Sequence, residues 1–390
     1  VCPEPLGHGQ PAGIGIRFLE MAKLLGEDGH EVVLLDRQAI TAEALQRESA
    51  RCEVAVVQGH VANDLFAHAR PIPTVVDLYD PFIIENLHYY PTRGAEVFGH
   101  DHATLLRSLA RGDVFLCASE AQRLFYLGML LAIGRVNPVT FADDAGFGAL
   151  VRVAPFGVEA PRPLAPRDLD AAAVLFGGIY DWYDPILAID AVALARQSLP
   201  RLTLTFTTHP NPELTPQGAL AEALAHAKRQ RADGFVRFVP WVPYGGRGAF
   251  FDRFAAALLT FPQSIETSLA MRTRIYDYLW GGLPVVTSSA PGTDEILQRY
   301  GAGRVVRSSS AGDLAAALVR LLTTDYSATA TATQRFAAEN QWRHTLSPLL
   351  DFVRAPRVDE RKELFASPVS VSAPPPTLVE RIRRRMGGRA

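Results

Sequence analysis

The sequence predicts an α/β protein of two doubly wound domains facing each other across a cleft. Three observations predict it. Short apolar runs alternate with helical stretches along most of the chain, which is the pattern of parallel strands covered by helices. Each half opens with a strand followed by glycines. A proline-rich passage, Pro155 to Pro163, separates the halves. With 390 residues the chain is long enough for two domains of ordinary size.

Taken in order, Val1–Pro5 reads as the end of a strand, and the loop Leu6–Gly15 leads into a helix with apolar Ile16, Leu19, Leu24 and Leu25. Gly29 closes that helix before a strand at Glu31–Leu35. Val54–Val57, Thr74–Val76 and Val114–Cys117 are the next strands. Ligands of such sheets sit beyond the carboxyl ends of the strands, which puts His60, Asp77, Asp80 and Ser119 on the functional rim. After the proline-rich passage come strands at Ala173–Phe176, Leu202–Thr207, Val236–Val239, Leu258–Phe261 and Pro284–Thr287, with helices between them. The expected boundaries are 1–155 for the N-terminal domain, 156–170 for the linker and 171–328 for the C-terminal domain. A helix over 329–353 then returns to the N-terminal domain, and a disordered Pro/Ser/Arg-rich tail covers 354–390.

Composition narrows the chemistry. The 39 Lys plus Arg nearly balance 41 Asp plus Glu, a formal charge of −2, and this gives no basic excess for nucleic acid. Only three lysines stand against 36 arginines, and no P-loop motif occurs, so P-loop nucleotide hydrolysis is excluded. Three scattered cysteines suit neither a disulfide framework nor a zinc cluster and point to a reducing, cytoplasmic setting. No secretory signal pattern opens the sequence, and the apolar run Leu127–Gly134 is far short of the ~20 residues that span a bilayer.

Several stretches resemble glycosyltransferases of the GT-B fold, of the retaining, family 4 type. They are Gly13-Ile14-Gly15-Ile16-Arg17 with Gly29-His30-Glu31-Val32, the turn Val153-Ala154-Pro155-Phe156-Gly157-Val158, and Glu266–Leu269 followed by Arg272–Val286. The likeness runs from about residue 3 to 353. It implies two Rossmann-like domains, a nucleotide-sugar donor on the C-terminal one and an acceptor on the N-terminal one. It also implies transfer with retention, no bound metal and no cofactor beyond the nucleotide sugar. The acceptor would be a hydroxyl of a glycan, a lipid-linked saccharide or a small molecule, as in polysaccharide biosynthesis. Epimerisation of a sugar nucleotide, a pseudo-glycosyltransfer forming a non-glycosidic bond, and non-catalytic nucleotide binding remain open on the same fold.

The family usually carries two glutamates with seven residues between them. Counting back from Gly282-Leu283-Pro284 puts Asp277 in the second position, for the ribose. Glu266 then stands in the first, for the donor sugar, with ten residues between. The family's arginine and lysine for the diphosphate have no counterpart in Gly177–Pro185. Arg272 and Arg274 are the substitutes, because guanidinium matches phosphate by a bidentate fork. Their two-residue spacing lets both serve only in a loop or a first helical turn. Gly13 and Gly15 would bring backbone N–H groups to the diphosphate from the other domain. His60, Asp77 and Asp80 are the orienting groups expected near the donor sugar, and Trp182, Tyr183, Trp241 and Tyr244 the rings that could stack on base or sugar. His209-Pro210-Asn211-Pro212 marks another strand-end loop. In the tail, Leu378, Val379, Ile382 and Met386 share a helical face beside Arg383–Arg385, a pattern for weak peripheral contact with an anionic membrane, here the inner face of the plasma membrane.

Overall fold

A computed structural model describes residues 1–6, 11–208 and 217–364. The N-terminal sheet is parallel throughout, with strands β1 (Ala55–Val57), β2 (Thr74–Asp77), β3 (Val114–Cys117) and β4 (Val151–Val153) in that order. β2 and β3 are buried along their whole length, as strands covered on both faces must be. β4 was not marked by the apolar alternation, because its three residues run straight into the proline-rich passage.

The two strands expected before residue 36 do not form among the described residues. Cys2 N–H donates to Leu35 O at 2.8 Å and the Val1 amine to Val56 O at 2.6 Å. Pro3 and Pro5 have no N–H to give, which stops a ladder from extending.

The C-terminal sheet has six parallel strands: β5 (Ala173–Gly178), β6 (Thr203–Thr207), β7 (Val236–Val239), β8 (Ala256–Leu259), β9 (Val285–Ser288) and β10 (Gly303–Val306). Their spatial order is β10-β9-β8-β5-β6-β7. Chain direction across the sheet reverses between β5 and β8, and a crevice opens beyond the carboxyl ends of the strands at such a point.

The linker is part of the core. Phe156 is buried against Trp342, at 4.4 Å between ring centroids, and against Tyr79 and Tyr276 at 6.0 and 6.1 Å.

The return to the N-terminal domain is made by a strand-like crossing rather than by one helix over 329–353. The helix Tyr326–Glu339 stays on the C-terminal domain, where Phe336 packs on Tyr276 and Tyr300. The chain then pairs with the linker, with Val158 N–H donating to Asn340 O and Trp342 N–H to Val158 O. The helix Ser347–Arg354 lies on the N-terminal domain, where Arg354 meets Asp28 and Arg152 donates to Pro348 O.

The first residues of the span expected to be a disordered tail, 354–390, are folded. Residues 355–364 are folded onto the N-terminal domain through Asp359, Arg361 and Lys362. The amphipathic residues Leu378 to Met386 lie outside the described residues. Among the described residues no helix is long and apolar enough to cross a membrane.

Candidate functional site

The cleft between the domains holds a cavity of about 610 Å³, in the size range of small-ligand sites. Its walls come from both domains. Gly13, Asp80 and Glu85 line it on one side, and Gly177, Arg274 and Asp277 on the other.

Arg274 lies in the first turn of the helix Thr273–Trp280, and Arg272 is the extended residue that precedes it. Of the sequence candidates, Arg274 is the one whose charge is left open. Its Nη1 donates to Gly178 O, and its guanidinium lies over the rings of Tyr180 and Tyr183 at 4.9 and 4.6 Å. Nη2 is buried, the Tyr180 and Tyr278 hydroxyls stand beside the guanidinium, and among the described residues no carboxylate forms an ion pair with it. The Gly177-Gly178 turn is the place where the sequence lacks a base. In space, the base arrives from the helix almost a hundred residues later.

Arg272 lines the same cavity but is already matched. Its two terminal nitrogens donate to the Glu266 carboxylate at 2.6 and 2.7 Å, and both side chains are buried. Ser264 caps the short helix Ile265–Leu269, and the extended Ala270–Met271 link lets Arg272 fold back onto Glu266. The two residues chosen for separate duties, sugar and phosphate, therefore hold each other. Glu266 does not line the cavity.

Asp277 lines the cavity and accepts from Arg247 Nε at 3.0 Å through Oδ1. Burial raises its carboxyl above the usual range. Arg247, just after the loop that follows β7, carried no motif that would have marked it.

The N-terminal candidates divide. Asp77 is completely enclosed by Arg17, which donates to it at 2.7 and 3.1 Å and also to the carbonyls of Ala154 and Pro155. It does not reach the cavity; it ties β2 to the start of the linker, so the reading of Asp77 as a rim group is corrected. His60 gives its Nε2 to a 2.6 Å contact with Asp101, which also accepts from Asn86 and Tyr90. His60 lies outside the cavity lining. Asp80 does line it, hydrogen-bonded to Glu85. Burial, with the negative charges of Asp77 and Glu266 nearby, pushes the Asp80 carboxyl up to about 6, and burial lifts Glu85 well above its ordinary value.

The two glycines also separate. Gly13 faces the cavity beside Thr273, where an added Cβ would stand 3.4 Å from the Thr273 methyl. Two helix N-termini thus meet there: that of Gly13–Glu27, where the Glu4 carboxylate accepts from Ala12 and Gly15 N–H, and that of Thr273–Trp280, which has no side-chain cap among the described residues. Gly15 is turned away. Its N–H donates to Glu4 at 2.9 Å, and a Cβ would lie 2.6 Å from that carboxylate, so Gly15 makes room for Glu4 rather than for a ligand.

Trp182, Tyr183, Trp241 and Tyr244 all line the cavity. Trp182 stacks on Tyr180 at 4.8 Å and 12°, while Tyr183 is buried among Phe176, Phe261 and Tyr180. Sequence reasoning did not find Glu4, Tyr79, Glu85, Tyr180 or Arg247. Glu85 could have been suspected as a second acid five residues after Asp80. The loop His209–Pro212 lies outside the described residues.

Two parallel sheets facing across a cleft, with the C-terminal chain crossing back, define the GT-B fold. Solved structures share it at low sequence identity. Anabaena Alr3699/HepE, in complex with UDP and glucose, is 16% identical with a TM-score of 0.61, over 89% of this chain and 97% of that one. A UDP-forming α,α-trehalose-phosphate synthase from Burkholderia xenovorans is also 16% identical, with a TM-score of 0.59 over 83% and 80%. S. aureus TarM, solved with fondaparinux, α-GlcNAc-glycerol and UDP, is 11% identical with a TM-score of 0.56, over 77% of this chain. The match spans 55% of the TarM chain, little more than half its length. No protein-family model and no curated protein matches the sequence.

Proposed function

We propose that this protein is a retaining glycosyltransferase of family 4 type. It moves a sugar from a nucleotide-sugar donor to a hydroxyl of a glycan, lipid-linked saccharide or small-molecule acceptor. The observation that carries the reading is Arg274: a buried cation in no ion pair with a described carboxylate, lining a cavity at the uncapped N-terminus of Thr273–Trp280. A nucleoside diphosphate leaves with charge growing on its phosphate oxygens, and fixed donors in a water-poor site offset that charge most strongly. Arg274 and the N-terminus of Thr273–Trp280 supply such donors without a bound metal.

In this reading the free oxygen of Asp277 accepts a ribose hydroxyl. The sugar lies towards Asp80 and Glu85, and the acceptor enters from the N-terminal side. The leaving phosphate takes the acceptor proton, so no protein nucleophile is required. The likeness to structures solved with UDP and sugars supports the same reading. We place the reaction in the cytoplasm, with the basic tail making weak contact with an anionic membrane when the acceptor is lipid-linked.

The test is mass spectrometry of products from a panel of nucleotide sugars and acceptors, with the anomeric configuration of any product read by NMR. A glycoside of retained configuration is expected. An epimerised nucleotide sugar, a non-glycosidic product, or no nucleotide-induced shift in melting temperature would overturn the reading.

A further inference from the structure

Arg247 is 5% exposed, yet it lines the cavity. Its guanidinium is clamped face-on, with its carbon 3.5 Å from the Tyr244 ring centroid and 4.3 Å from that of Trp280. Trp280 is itself fixed by its indole N–H, which donates to Ala160 O at 3.0 Å. The plane of the guanidinium therefore cannot turn. Within that plane, Nε donates to Asp277 at 3.0 Å and Nη1 to Tyr244 O at 2.8 Å. Nη2 has no hydrogen-bond partner among the described residues; Glu159 stands 3.6 Å away, an ion-pair distance but too long for a hydrogen bond. A buried guanidinium donor left open costs free energy unless something accepts from it.

We infer that Arg247 is a specificity-determining residue, whose open Nη2 edge donates to a carbonyl oxygen of the donor's nucleobase. This deepens the proposed function and rests on it. Three features favour a base over the other parts of a nucleotide. A planar, immobile donor edge suits a planar acceptor. The diphosphate is already provided for by Arg274, three residues before Asp277 on the same helix. Trp241, Val242 and Tyr244, which follow β7, give this corner of the cavity apolar and aromatic walls. Asp277 and Arg247 then form one fork of opposite charges, the acid taking the ribose hydroxyl and the base taking the ring carbonyl. At the exocyclic position where uracil and thymine carry O4 and guanine O6, adenine and cytosine carry an amino donor, which would meet a guanidinium aimed at that position donor to donor. The nucleotide class is therefore a uridine, thymidine or guanosine diphosphate sugar, and not an adenosine or cytidine one.

The test is calorimetric titration of the full chain with UDP, TDP, GDP, ADP and inorganic diphosphate, repeated on Arg247→Gln and Arg247→Lys. The native protein is expected to bind at least one of UDP, TDP and GDP about tenfold or more tighter than ADP, the weight of one hydrogen bond from a charged donor. In both variants that ratio should collapse while inorganic diphosphate binds as before. Equal affinity for ADP and the carbonyl-bearing nucleotides, or a uniform loss in the variants that leaves the ratio unchanged, overturns the inference and leaves the donor site standing. Failure of every nucleotide to bind the native protein overturns the donor site itself. Should Arg247→Gln lose its cooperative thermal transition, Arg247→Lys, which keeps the charge opposite Asp277, decides the matter.

Discussion

Arg272 and Arg274 are two residues apart and differ in what surrounds them, so their removal should have different consequences. Arg274 has aromatic faces and one carbonyl but no carboxylate among its partners. Arg274→Gln should lower nucleoside diphosphate affinity by about 1.5–3 kcal/mol, the worth of a hydrogen bond involving a charged group. Its melting temperature should fall much less than that of Arg272→Gln, because the removal strands no buried carboxylate. Arg272→Gln strands the Glu266 carboxylate in the interior and should cost about 3–5 kcal/mol of stability. Calorimetric titration and denaturant unfolding of both variants distinguish the two roles. A stability loss in Arg274→Gln as large as that of Arg272→Gln would make Arg274 structural.

Asp80 gives a pH signature at the same scale. Its carboxyl rises from 3.8 to about 6 in the folded protein, so the native state holds a proton that the unfolded chain releases. Stability is then fullest below pH 4 and is lost as the pH rises towards 6. Burial and the charges of Asp77 and Glu266 raise Asp80, while the hydrogen bond from Glu85 and the charge of His60 oppose them. Asp80→Asn removes the titration and relieves Glu85. Its melting temperature should exceed that of the native protein above pH 6, with the difference vanishing near pH 4. A gap that is constant from pH 4 to 8 would show that burial does not raise this carboxyl.

Among the elements, β5 and the helix Thr273–Trp280 depend on each other through one backbone position. Gly177 has φ +85°, and the strand register shifts between Leu175 and Gly177. A Cβ at 177 would lie 2.2 Å from the Tyr278 hydroxyl, which donates to Phe176 O at 2.8 Å. That bulge turns the Gly178 carbonyl towards Arg274. Gly177→Ala should cost about 1–3 kcal/mol and also weaken nucleotide binding, because it displaces the Arg274 acceptor. Tyr278→Phe should lose about 1 kcal/mol of stability. Thermal melting with and without nucleoside diphosphate measures both effects.

This pairing also shows how far the sequence could be read. Strand alternation gave β1–β3 and β5–β9, because parallel strands buried on both faces announce themselves as apolar runs, while β4 and β10 went unmarked and the two runs before residue 36 form no strand. The region of the donor motif was legible too, and it holds Arg274 and Asp277. Which acid claims which base was not. The Glu266–Arg272 pair depends on an extended link between two short helices, and the Arg17–Asp77 pair joins residues sixty positions apart. Arg247 reaches Asp277 across thirty residues. Glu4 took the Gly15 N–H that a glycine motif reserves for phosphate, and nothing local marks an acid eleven residues earlier as the competitor.

For the whole molecule, the cleft and the chain's last described segment lie at opposite ends of the N-terminal sheet. The cleft is at the carboxyl ends of the strands. Residues 355–364 clasp the other end, where Asp113 precedes β3 and accepts from Thr74 N–H at the start of β2. Asp113 also accepts from Asp359 N–H and Lys362 Nζ, each at 2.8 Å. Arg135, 2% exposed, donates to the carbonyls of Leu109 and Gly112 and to Asp359 at 2.9 Å. Without this segment Arg135 loses its carboxylate and Asp113 its cation, two buried charges left uncompensated. A chain ending at Arg354 should therefore unfold with about 3–5 kcal/mol less stability, and Asp359→Ala should reproduce much of that loss. Because the clasp is remote from the cavity, nucleoside diphosphate affinity at a temperature where the shortened chain is still folded should stay at the native value. Urea unfolding and calorimetric titration, run side by side, check the two halves of this expectation. A shortened chain that binds nucleotide more weakly while fully folded would show that the clasp also sets the geometry of the cleft.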